Sequence, residues 1–186
     1  MIDIEGLGSD PESIILTIGA QIFDPSVFGW YEKPQYDAVS QTNYLPYMYV
    51  KVDVDTQESE YNRTMSEDTM NWWSRQSQAA FDEAFDTENR VSLPDALTEL
   101  SKLAMHCKHI WTKGPTYDIT ILEHAYRSAK IKVPWKFWTI RDARTLYSLC
   151  PQLNDKLNGH IALDDCRNQI VLLQESLRVL NVEVFK

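Results

Sequence analysis

The sequence is poor in cysteine and arranges what it has without pairs. Cys107, Cys150 and Cys166 are odd in number and far apart, and no CxxC occurs, so the simplest reading is a reduced, intracellular protein with the cytoplasm as the expected compartment. No apolar run approaches the roughly 20 residues of a membrane helix. No basic segment precedes the apolar start, which argues against a signal peptide, and no repeat or low-complexity tract is present. Positive charge is also short, with 18 Lys and Arg against 27 Asp and Glu and a net charge of −9. That balance argues against a general nucleic-acid binder. Its distribution points the other way: residues 1–100 hold 19 acids and 5 bases (−14), whereas residues 101–186 hold 8 acids and 13 bases (+5). The C-terminal part can attract a polyanion or be an ordinary solvated surface. With 44% hydrophobic residues over 186 positions, the chain suits one globular domain, 1–186.

The first three apolar stretches read as strands. They are the chain start, Ser13–Phe23, and Pro46–Val54, with a polar loop "DTQESEYNRT" after the third. Ser66 then caps a helix through "TMNWWSRQSQAAF", and Ser92 caps another in which Leu97, Leu100, Leu103, Ala104 and Cys107 recur at helical spacing. "HIWT" and "FWTI" read as short strands. They alternate with helices at "YDITILEHAYRSAK" and "DARTLYSLC", and a last helix runs from about Ile161 to Leu180. Three meandering strands followed by alternating helices and short strands predict an α/β protein with a mixed sheet, an antiparallel meander plus parallel strands, flanked by helices.

Within this frame the acids at the chain start stand out. Asp3 and Glu5 lie two apart in a strand and so project to one side. A buried pair of like charges needs a positive partner, and a hard divalent cation such as Mg²⁺ suits oxygen ligands. An exposed edge strand with two solvated acids is the alternative. Asp118, after a Gly-Pro loop, opens a helix, either as a further carboxylate ligand or as a simple first-turn acid. In the last helix, Ala162, Cys166, Ile170, Leu173, Leu177 and Leu180 form the central buried stripe at 100° per residue. Asp164 falls opposite it, in solvent. Asp165 falls at the buried edge, where a carboxylate wants a partner, and His160 is placed to reach the same site as a base or to cap and pack.

Taken together, Asp3-x-Glu5, Asp118 and His160-x-Ala162-x-x-Asp165 resemble the three motifs of the DEDDh 3′–5′ exonucleases, across nearly the whole chain. Trp72-Trp73 with Gln76, and Arg141-Asp142 with Arg144-Thr145, are similar to a branch that includes a phage exodeoxyribonuclease and a mycobacterial exoribonuclease that trims adenylated tails. The resemblance implies an RNase H-like fold. It implies two Mg²⁺ or Mn²⁺ ions held by Asp3, Glu5, Asp118 and Asp165, with His160 as general base. The expected substrate is the 3′ end of single-stranded DNA or RNA, cut to nucleoside 5′-monophosphates. Gly6 stands where many relatives have Thr.

Expected substrate contacts are Gly6, Leu7 as a wedge against the terminal base, Arg141 and Arg144 on phosphate, and Trp73. Each has a structural alternative: a turn residue, an ion pair or core packing. Lys113, Lys132 and Lys136 are further candidates to attract the strand. Packing is the first reading for both tryptophans; the alternative is that one is core and the other stacks on a base or on a partner subunit in a homodimer. His106, His109 and His124 have no metal-like spacing with Cys107 and read as structural or surface residues. The rival readings are an exoribonuclease restricted to short oligonucleotides and a non-catalytic nucleic-acid or partner-binding domain. No membrane association is expected.

Overall fold

The computed structural model describes residues 1–153 and 159–182. Among these residues the order is β1 (Ile2–Gly6), β2 (Ile15–Gln21), β3 (Gln35–Asp37), β4 (Thr42–Tyr44) and β5 (Tyr47–Lys51), then α1 (Val54–Tyr61), α2 (Glu67–Trp73), α3 (Gln78–Phe85) and α4 (Leu93–Ala104). They are followed by β6 (Ile110–Thr112), α5 (Asp118–Ser128), β7 (Ile140–Asp142), α6 (Ala143–Ser148) and α7 (Ala162–Val179). The mixed α/β architecture expected from the sequence is present. The meander is the antiparallel sheet β1-β2-β5, and β6 pairs with β7 in parallel beside β1.

Register makes the meander two-faced, because directly opposed residues share a side. Ile2, Ala20 and Met48 form one cross-strand row, and Ile4, Ile18 and Val50 the next. This face packs on Leu97 and Leu100 of α4 and on Ile119, Leu122 and Tyr126 of α5. Each such aliphatic side chain stabilises the fold by about 1.5–3 kcal/mol when fully buried. The alternate rows are Asp3–Gly19–Tyr49 and Glu5–Thr17–Lys51. They face α7, whose Cys166, Ile170 and Leu173 form a second core with Met1, Ala143 and Tyr147.

Gly19 sets how closely α7 approaches. A Cβ on it would lie 2.4 Å from both Ala162 C and Leu163 N. Only a residue without a side chain lets the first turn of the helix rest on the strand opposite Asp3.

Several local expectations are corrected. The stretch read as a polar loop forms α1, capped by Asp53, whose side chain accepts from Thr56 N. This helix is polar almost all round and is anchored by the fully buried Gln57, which pairs with Ile15 as a strand neighbour would. Gln57 Oε1 accepts from Ile15 N at 2.9 Å, and Nε2 donates to Ile15 O at 2.8 Å. The helix expected through residues 66–81 breaks at Ser74, and α3 restarts under a new cap in which Ser77 accepts from Ala80 N. Phe137–Thr139 is a 3₁₀ turn rather than a strand, so β7 begins at Ile140. The β3–β4 pair was not expected.

Candidate active site

Three separate parts of the chain converge on the α7 face of β1. The period of the strand points Asp3 and Glu5 there. Asp118 is the first residue of α5, after a turn that Gly114 makes with φ +102°. Its Oδ1 accepts from Ile4 N at 3.1 Å, so the carboxylate is tied to the backbone between the two strand acids. Asp165 lies in the first turn of α7 and accepts from Gly159 N (2.9 Å) and His160 N (3.1 Å). That clasp goes with a left-handed His160 (φ 56°), a conformation rare for residues other than glycine.

The imidazole then sits against Glu5, with Nδ1 3.8 Å from Oε1, and packs edge-on to Trp72 with ring centres 4.8 Å apart. Ligand atoms of Glu5, His160 and Asp165 lie within 4.8 Å of one another. All five residues line one cleft of about 330 Å³, joined by Trp72, Lys113, Tyr117, Arg144 and Gln169.

Burial and crowding disturb these groups. Asp3 rises well above the usual carboxylate range, first through burial and then through the neighbouring Asp118 and Glu5. Asp118 is pushed up to about 7, mainly by burial and against the pull of the Ile4 N–H. Burial also raises Glu5 and Asp165. His160 is raised chiefly by the Glu5 carboxylate. Four acids that crowd and raise one another form an all-oxygen donor set, which suits hard divalent cations as ligands and as counter-charges. The residues present therefore fit such ions.

The α7 phasing holds: Asp164 has 60% of its side chain exposed, whereas Asp165 is buried. Two expected substrate contacts are corrected. Leu7 is 3% exposed, packed with Ile14, Leu16 and Trp73. Trp73 is fully buried and donates from Nε1 to Gly6 O at 3.0 Å, so Trp72 takes the place facing the cleft. Gly6 lines the cleft as a close-approach residue. A Cβ there would meet Ile14 O at 2.9 Å and the Tyr117 hydroxyl at 3.3 Å, so a larger residue has no room. Arg144 lines the cleft and donates to Lys113 O at 3.1 Å. Arg141 lies outside the cleft lining, with Nη1 bound to Trp138 O and Ile140 O.

The readings from sequence passed over Tyr117 and Gln169. Gln169 had a signal, since it follows Asp165 by four residues on one helix face. Tyr117 had only its place before Asp118. A homodimer, which the sequence left open, is not supported by the contacts described. No helix among the described residues is long and apolar enough to cross a membrane.

The family model of the 3′-5′ exoribonuclease Rv2179c-like domain matches residues 1–177. An exodeoxyribonuclease of Enterobacteria phage T4 is 23% identical over 96% of this chain and 88% of its own length.

Proposed function

The chain belongs to the family of the 3′-5′ exoribonuclease Rv2179c-like domain and is a 3′–5′ exonuclease, and from that premise we propose how its cleft works and on what. The observation that carries the reading is the convergence of four carboxylates and one imidazole, from β1, α5 and the start of α7, in a single cleft. Asp3, Glu5, Asp118 and Asp165 are the cation ligands, and the wider fold is RNase H-like. Two divalent ions, Mg²⁺ or Mn²⁺, supply charge stabilisation for a phosphodiester and lower the pKa of water at the site.

The chain's own residues do the rest. His160, at the rim with 25% of its side chain exposed, takes the proton of the attacking water. Glu5 and the ring of Trp72 hold the imidazole in place for that transfer. The water oxygen bonds to phosphorus while the bond from phosphorus to the 3′ oxygen of the preceding nucleotide breaks. A nucleoside 5′-monophosphate leaves, and the departing 3′ oxygen takes a proton from solvent water, so the shortened strand ends in a 3′ hydroxyl. Lys113 and Arg144 offset phosphate charge at the mouth of the cleft, within a chain that is acidic overall. The substrate is the 3′ end of single-stranded DNA or RNA, and Trp72 offers a face on which a base can stack.

The test is digestion of matched DNA and RNA strands, labelled at either end, with Mg²⁺ or Mn²⁺. A 3′ block should protect the strand and a 5′ block should not. Efficient cutting of a closed single-stranded circle would overturn the reading.

A further inference from the structure

Gln169 is 5% exposed, yet it is polar and lines the cleft. It sits on α7 one turn beyond Asp165. Its Nε2 donates to Asp3 Oδ1 at 2.7 Å. Its main-chain carbonyl accepts from the Tyr147 hydroxyl at 2.8 Å, so α6 pins the helix at this turn. Its Oε1 is buried with no hydrogen-bond partner among the described residues.

The orientation of the amide is fixed by chemistry. Once a cation keeps Asp3 ionised, the carboxylate only accepts, so the NH₂ faces Asp3 and the carbonyl faces away from it. A dry, unpartnered carbonyl is unfavourable, and each such group in a native structure calls for an explanation. Packing of α7 alone would be served by an apolar residue of the same size.

We propose that Gln169 is the positioning residue of the cation site: its amide holds Asp3 Oδ1 so that the other oxygen is presented to the cleft, and its Oε1 is the acceptor for a water in the hydration shell of a divalent cation. This rests on the cation-dependent reading given above. Groups that orient a ligand from behind are worth about 10–100-fold in metal affinity or activity. Gln169 also fixes the distance between β1 and α7, since it spans from the helix to the first ligand.

The experiment is calorimetric titration of the whole chain with Mn²⁺ alone, with no substrate present, for wild type, Gln169→Met and Gln169→Asn. Met keeps the volume and removes both polar atoms; Asn keeps the amide on a stem too short to reach Asp3. Each is paired with the Mn²⁺ concentration for half-maximal rate, the KM for a labelled oligonucleotide, and thermal unfolding. We expect Mn²⁺ affinity to fall about 10–100-fold in both variants, the half-maximal Mn²⁺ concentration to rise in step, and KM to stay unchanged. If Gln169→Met does not fold, Gln169→Asn decides. Mn²⁺ affinity within twofold of wild type in both variants overturns the proposal, with or without a lower Tm. Absence of Mn²⁺ binding by the wild type sinks the cation-dependent reading itself, and the proposal with it.

Discussion

Replacing Gly19 by alanine tests how the site is assembled. The added Cβ would stand 2.4 Å from Ala162 C and Leu163 N and 2.6 Å from Ala162 O, whereas ordinary contact begins near 3.4 Å. The neighbours are main-chain atoms, so no side chain can turn aside. The start of α7 must retreat by about 1 Å, the difference between 3.4 and 2.4 Å. Overpacking of this kind costs about 1–3 kcal/mol. For a chain of this length each kcal/mol lowers Tm by about 2–4 °C. The retreat carries Asp165 and His160 away from Asp3 and Glu5, and a misplacement of about 1 Å can cost about 10²-fold in rate. Initial rates on a labelled single strand and thermal unfolding by circular dichroism measure the two effects together. We expect a kcat about 10²-fold lower in a protein that remains folded at 25 °C. Wild-type kcat and Tm in Gly19→Ala would refute the claim that this contact sets the position of α7.

Asp3→Asn or Asp165→Asn should abolish hydrolysis, while the exposed Asp164→Asn, with its side chain 60% in solvent, should be nearly silent; a dead Asp164→Asn would show that the helix is turned otherwise. His160→Ala should slow turnover by about 10²–10⁴-fold, the usual worth of a positioned proton acceptor, with Mn²⁺ binding retained by calorimetry; lost binding would make His160 a ligand. Trp73→Phe removes the bond to Gly6 O and shrinks a fully buried ring, so it should cost about 1–3 kcal/mol in urea unfolding with KM unchanged. A raised KM at full stability would restore Trp73 as a substrate contact. Burial and then the nearby Arg63 guanidinium lower the pKa of His124, so the folded state binds its proton less readily than the unfolded chain. Its contribution to stability is therefore complete above the ordinary value of 6.5 and is lost as pH falls through the lowered folded-state pKa. The urea midpoint should drop on acidification below 6.5, and an undiminished drop in His124→Gln would exclude this residue as the cause.

What could be read in advance followed from period and spacing. The alternation of β1 put Asp3 and Glu5 on one side, and the 100° phasing of α7 separated Asp164 from Asp165 before any fold was known. Those signals are local, and the burial they imply is strong. The misses depend on contacts between distant parts. α1 shows no apolar stripe, and its one buried residue is a glutamine that bonds a strand 42 residues away. Neighbouring tryptophans on a helix point apart, but which one meets the core depends on where Gly6 O lies, and that is set by β1. Gly6 lines the cleft, and the reason it is a glycine, the close approach of the Tyr117 hydroxyl and the Ile14 carbonyl, comes only with folding.

The scattering of the site along the chain governs when it can first act. Asp3 and Glu5 are made before Asp118, and His160 and Asp165 come after all three, at the start of α7. A growing chain that has reached only Ser148 holds three of the five groups and none of α7. Its sheet then has no cover over Gly19, and the acids it has made stand open to water. On the proposed chemistry, hydrolysis begins only once α7 has been made and has docked.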